Sequence, residues 1–354
     1  MRCSVLLPAS NIAFMVVMLL VPACCKELEF NCPYIHDAHV HNMTIRLPPT
    51  KVPAEGESHF CLNFRLPSDQ EYHLIAVTPV VDNALALHHM GFGPCDYSVE
   101  ETEKPEECLK GNTAEPDCNM FLAQWTRGMA GLCYDPRAGV RFGHGGATVV
   151  RLQVHWKNSE LRDDWWDSPG MVLYYTAKLR QNNIGVFTAG QTSLAIPPAR
   201  PAWTATGACT SHCTRKVLTG PITLTQVFHH MHGLGTRQNV ALRRGVSGPV
   251  EVLTEANPFD NHNPMRRPDP PRTVRPGDEL SVTCTFQSLN RTTTATWGGG
   301  PGQEMCVAFV WFFPAENVAL PAATASSGVT SAPATWRSAR CARSSTRLTP
   351  TSCA

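Results

Sequence analysis

From about residue 29 onward, apolar and polar positions alternate over short runs that Pro, Gly, Asn and Asp interrupt, the pattern of strands joined by turns. The runs are Thr44 to Leu47, Phe60 to Leu66, Tyr72 to Val77, Val149 to Trp156, Met171 to Leu179, Gln226 to Val240, Glu279 to Phe286 and Met305 to Phe313. Helical periodicity is scarce, and the one helix it predicts lies around Phe121 to Arg127. An all-β architecture of two tandem β-sandwiches, jelly-roll-like, follows, with a link near Ile184 to Pro198 that Ile196-Pro197-Pro198 stiffens. The domains expected are 29–183 and 184–317. After Asn317 the alternation stops, Ala, Ser, Thr, Arg and Pro take over, and 318–354 reads as an aberrant or disordered tail unable to bury a strand.

Composition narrows the class. At 354 residues and 43% hydrophobic, the chain is long enough for two real cores. A formal charge of +1 without a long basic run gives no electrostatic reason to expect nucleic acid. Fifteen cysteines, standing apart rather than in C-x-x-C pairs, favour disulfides over zinc clusters and so an oxidising compartment. Arg2, the apolar stretch Ile12 to Leu20 and the small residue Ala23 read as a signal peptide over 1–23, too short for a confident membrane span. Secretion is therefore expected, without stable membrane insertion. Sequons at Asn42 and Asn290 are compatible with glycosylation.

Of the 14 histidines, four groups stand out: His36/His39/His41, His88-His89, His155 and His229-His230-Met231-His232. Strand residues two apart share a face, so His230 and His232 can hold one ion while His229 and Met231 point the other way. The same alternation sets Met305 with Val307, Phe309 and Trp311, and frees Cys306 on the opposite face for a disulfide. A thioether beside two imidazoles suits cuprous copper and suits zinc, calcium or magnesium poorly. Adjacent His88 and His89 can share a metal only where the backbone bends, for which Gly91 and Gly93 are candidates. A three-histidine set completed by His155 serves copper or zinc equally. The N-terminal His36, His39 and His41 read as a solvated face in an unanchored stretch. No G-x-S-x-G elbow, Walker loop, H-E-x-x-H or dinucleotide fingerprint is present.

These pieces resemble the copper type II ascorbate-dependent monooxygenases. The resemblance covers roughly 42–314 and rests on Phe60-Cys61-Leu62-Asn63-Phe64-Arg65-Leu66-Pro67, His88-His89-Met90, Leu152-Gln153-Val154-His155-Trp156, His230-Met231-His232 and Glu304-Met305-Cys306. It implies two coppers per chain. His88, His89 and His155 would hold an electron-storing copper; His230, His232 and Met305 would hold an oxygen-binding copper and form the catalytic set. Ascorbate would be the electron donor and dioxygen the co-substrate that hydroxylates an aliphatic carbon. It further implies disulfides Cys61–Cys108, Cys95–Cys118 and Cys284–Cys306, and leaves Cys32, Cys133, Cys209 and Cys213 without obvious partners.

Branch is read from two positions. The peptide-amidating branch carries an arginine and a tyrosine where this chain has Phe228 and Phe309, and an apolar pocket does not satisfy a peptide carboxylate. Leu173 to Arg180 and Ala195-Ile196-Pro197-Pro198 resemble the dopamine β-hydroxylase and DBH-like branch, whose resemblance implies a small amine substrate, a phenylethylamine. The alternatives are peptidylglycine α-hydroxylation and a secreted copper-binding sandwich without turnover.

Overall fold

The computed structural model describes residues 30–108, 117–118, 122–262, 265–300 and 302–319, together with the backbone of 340–342. The expected signal peptide and most of the expected tail lie outside these residues.

Alternating segments become strands in four principal sheets. In the first half, Val40–Arg46, Gly170–Thr176, Glu71–Val80, Ala138–Gly143 and Asn182–Asn183 pair in that order, with Leu132–Cys133 added to Glu71–Val80. A second sheet runs Glu106–Glu107, Glu57–Arg65, Val149–Lys157, Leu87–Pro94, Ala123–Thr126. In the second half, Met265–Arg266, Ile222–His230, Cys306–Phe313, Gly185–Gln191 and Arg340–Ala342 form one sheet, with Arg272–Val274 also on Ile222–His230. Trp203–Cys209, Glu279–Phe286, Gly235–Arg243 and Val250–Ala256 form the other. Spatial neighbours are mostly distant in sequence, as crossover connections between facing sheets require.

Three local expectations fail. The segment around Phe121 to Arg127 is no helix: Ala123–Thr126 is a strand whose ladder runs from Phe92↔Ala123 to His89↔Thr126. The open edge of Leu87–Pro94 offers that segment a row of hydrogen bonds, and pairing overrides its weak local preference. The α-helix among the described residues is Ser211–Val217, capped by the Thr210 side chain on the Cys213 N–H and ending on Arg215 and Lys216. The 184–198 segment is more than a link. Asn182–Asn183 still pairs in the first half, the chain crosses at Ile184, and Gly185–Gln191 is already an interior strand of the second half. The tail does supply a strand, since Arg340–Ala342 lies parallel to Thr188–Gly190.

The first core centres on Trp156, Leu152, Val154, Met90, Phe92 and Met171, and the second on Phe286, Val282, Leu224, Val227, Val240 and Val310, all at most 1% exposed. Each such side chain contributes about 1.5–3 kcal/mol by leaving water. Exposed ion pairs such as Arg162–Asp164 are screened by solvent and hold little by comparison, so burial holds the fold. Disulfides Cys32–Cys133, Cys61–Cys108, Cys95–Cys118 and Cys284–Cys306 add covalent ties, and Cys209 and Cys213 are disulfide-bonded as well. Cys32 and Cys133 are thus each other's partners. That bond, with the pairing of Val40–Arg46 on Gly170–Thr176, anchors the stretch expected to be loose, although His36, His39 and His41 remain exposed.

Strand Cys306–Phe313 is buried on both faces. Cys306, Ala308, Val310 and Phe312 enter the second core, while Val307, Phe309, Trp311 and Phe313 belong to a cluster continuous with the first. Trp311 Nε1 donates to Leu122 O at 3.1 Å, Gln226 Nε2 donates to Cys133 O at 2.8 Å, and the Arg137 guanidinium lies over the Phe313 ring. The halves therefore meet through an apolar seam studded with backbone-directed hydrogen bonds.

Candidate metal centre

Local parity decides which histidines reach this region. On Val149–Lys157, Val150, Leu152, Val154 and Trp156 point into the core and His155 points out. In the neighbouring strand His59 stands directly opposite His155, and on the other side so does His89. Strict alternation would turn one of His88 and His89 inward. The ladder instead slips between His155 and Trp156, which pair with His89 and Leu87, so His88 is the extra residue of a β-bulge. Leu87 and Met90 stay in the core, and both histidines between them turn out. Gly91 and Gly93, the expected source of the bend, lie in regular register opposite Gln153 and Arg151. The bulge is tied down: Arg127 donates to Leu87 O at 2.7 Å and to Leu85 O at 2.9 Å, and the Lys157 N–H donates to Ala86 O at 2.8 Å.

His88 Nδ1 and His89 Nδ1 are 3.0 Å apart, and His89 Nδ1 and His155 Nδ1 are 3.2 Å apart. Two nitrogens each about 2.0 Å from one ion and at about 100° are about 3.1 Å apart, so this spacing fits a metal at their focus. His155 Nε2 is buried without a hydrogen-bond partner, with Glu57 Oε2 3.8 Å away. Burial, then the Lys157 charge, lowers the His88 pKa to about 4; burial and the His59 ring lower His155 to about 2; burial and His155 hold His89 well below the ordinary imidazole value. All three imidazoles are therefore neutral near pH 7, the form that binds metals. His59 was not among the sequence candidates. Its ligating atom and those of His89 and His155 all lie within 4.8 Å of one another. Only the cross-strand register could have revealed it.

In the second half a bulge between Leu224 and Gln226 resets the parity of Ile222–His230. Val227 and Met231 then fill the second core, and His229, fully buried, bonds Gln238 Oε1 at 2.7 Å and Thr254 Oγ1 at 3.1 Å. Phe228 and His230 take the other face. Phe228 pairs with Phe309 and His230 with Val307, so Met305, just before the strand, falls beside the turn that carries His232. Met305 packs against the first core cluster, and the His230 and His232 rings lie 5.2 Å apart at 88°. His232 Nδ1 donates to Gln303 O at 2.9 Å, which leaves Nε2 as the other ring nitrogen, available as a donor to a metal. Buried Glu304 accepts from the backbone N–H groups of His232 at 2.9 Å and Leu234 at 2.7 Å, fixing the turn, while burial raises its own pKa. Burial and His232 lower His230 to about 3. After burial and nearer charges, His230 lowers the pKa of His89 and His232 that of His155.

Fold and side-chain placement thus describe a disulfide-tied tandem β-sandwich with an imidazole cluster in each half, one flanked by a thioether. Comparison with known sequences gives the family. Residues 43–163 match the N-terminal domain, and 182–331 the C-terminal domain, of the copper type II ascorbate-dependent monooxygenases. The chain belongs to that family, in its dopamine β-hydroxylase-like branch. It is similar to human dopamine beta-hydroxylase, 30% identical over 78% of this chain and 47% of the relative. Tyramine beta-hydroxylase of Caenorhabditis briggsae is 28% identical over 76% of this chain and 48% of its own length. Human DBH-like monooxygenase protein 1 is 28% identical over 75% and 46%. The chain spans about half the length of the curated relatives it matches. Among solved structures, N-glycanase F covers 77% of this chain and 94% of its own at 10% identity with a TM-score of 0.34, a level at which no likeness is argued.

Proposed function

We propose that this chain is a copper-dependent monooxygenase that hydroxylates an aliphatic carbon of a small amine, a phenylethylamine, with dioxygen as co-substrate and ascorbate as electron donor. It would work outside the cell or in the secretory lumen, a location that the disulfides support. The observation that carries the reading is geometric: the first half brings His88, His89 and His155 together with ring nitrogens 3.0 and 3.2 Å apart, and the second carries His230 and His232, rings 5.2 Å apart, with Met305 two residues before the Val307 that pairs with His230.

Within it, 29–183 and 184–317 act as two domains. His88, His89 and His155 hold the electron-storing copper; their all-nitrogen set tolerates both oxidation states. His230, His232 and Met305 hold the oxygen-binding copper and favour its cuprous form through the soft thioether. Copper, when bound, supplies one-electron transfer and dioxygen activation. The protein orients its ligands: Gln303 O fixes the His232 tautomer, and Glu304 braces its turn. Phe228 and Phe309, ring centroids 6.2 Å apart, and the 6.1 Å contact of Phe309 with His230 make one wall beside the second cluster apolar and aromatic. That wall suits an aromatic substrate and rejects a carboxylate. The names of the amine hydroxylases it resembles point the same way.

The test is copper loading followed by turnover. The loaded chain should carry about two coppers and consume oxygen with ascorbate and tyramine-like amines. In Met305→Ile, oxygen uptake should fall at least about a hundredfold, the lower end of losses expected when a group at the reacting centre is removed. Turnover of glycine-extended peptides but not amines would overturn the substrate assignment, and one tightly held copper would overturn the two-site reading.

A further inference from the structure

We propose that His59 is a fourth nitrogen donor to the copper of the first cluster, engaged when that copper is oxidised; this rests on the assignment of His88, His89 and His155 as its ligands. His59, His155 and His89 sit in one row across three adjacent strands, paired residue to residue, all on the outward face. One ligating atom from each lies within 4.8 Å of the others. Two donors on opposite sides of one ion are about 4 Å apart at bonds of about 2.0 Å. The row is therefore within about 1 Å of closing on one ion, and the bulge adds His88 to it. The cluster holds four imidazoles where three suffice.

Oxidation state decides when the fourth is used. Cuprous copper is content with few, soft or neutral donors, whereas the cupric ion favours tetragonal four-donor surroundings. The His59 ring lies parallel to that of His155, 4.1 Å between centroids and 8° between planes. Ligation takes a rotation about its Cβ–Cγ bond, which a half-buried side chain can make. His59 then occupies the position that a water would otherwise fill, stabilises the oxidised ion and lowers its reduction potential. An electron stored at this site leaves it the more readily.

The experiment compares the full chain with His59→Phe, which keeps a ring to stack on His155 but has no donor atom. Both carry His230→Ala and His232→Ala, so that cupric signal comes from the first cluster alone. Pulsed electron paramagnetic resonance counts the coordinated imidazoles, and competition titrations give the cupric and cuprous affinities. Four imidazoles falling to three are expected, with the preference for cupric over cuprous copper falling about tenfold, a potential about 60 mV higher. His59→Tyr repeats the measurement should His59→Phe fold poorly. Equal imidazole counts and equal affinity ratios would show that the ring only stacks, and overturn the inference while leaving the proposed function intact. A chain that takes up no copper at this cluster overturns both.

Discussion

His229 and His230 are chemically identical neighbours with opposite fates. His229 is sealed in the second core, both ring nitrogens occupied by Gln238 and Thr254, and burial lowers its pKa to about 4. It is a satisfied core histidine. His230 turns toward the seam and into the cluster region. Replacing His229 with alanine leaves a buried amide and hydroxyl short of partners, and should cost about 2–3 kcal/mol in urea unfolding. Copper stoichiometry of the variant that remains folded should be unchanged. His230→Ala should do the reverse, removing one copper with a smaller loss of stability.

At the scale of elements, bulges are what aim the clusters. One in Leu87–Pro94 turns two successive histidines outward, and one near Thr225 sends His230 to the seam. Arg127 holds the first bulge by two backbone carbonyls. Arg127→Met should therefore weaken copper at the first cluster about tenfold to a hundredfold in competition titrations, with the second cluster unaffected. The two sheets of the second half also touch closely. A Cβ on Gly207 would stand 1.8 Å from Gly190 O, so Gly207→Ala must push the sheets apart. A loss of about 3 kcal/mol is expected by thermal or urea unfolding, the upper range for overpacking.

Across the whole molecule, the seam formed by Phe228, Val307, Phe309, Trp311 and Phe313 ties the halves into one apolar cluster. Such a contact restrains domain motion more than a polar interface would. The buried histidines give the metal-free chain a definite pH response. Folded pKa values near 4 for His88 and His229 and near 3 for His230 lie below the ordinary 6.5. As pH falls below 6.5 the unfolded chain takes up protons that the folded chain refuses until about pH 4. Stability contributed by these groups is therefore full above pH 6.5 and is lost progressively toward pH 4. Melting temperatures of the copper-free chain should be flat from pH 7 to 8 and fall across that window. A rise toward pH 4 would contradict the buried, neutral state.

The linear pattern carried much of this protein. Period-two alternation determined the all-β class, the two halves, and the opposite faces of Met305 and Cys306, because side-chain direction along a strand is local. What tertiary structure alone decided depends on which strand lies beside which. The His88 bulge, the arrival of His59 beside His155, the strand at Ala123–Thr126 in place of a helix, and the Cys32–Cys133 bond all arise from pairings between residues far apart in sequence. Cross-strand register is set by the packing of whole sheets, and no stretch of sequence contains it.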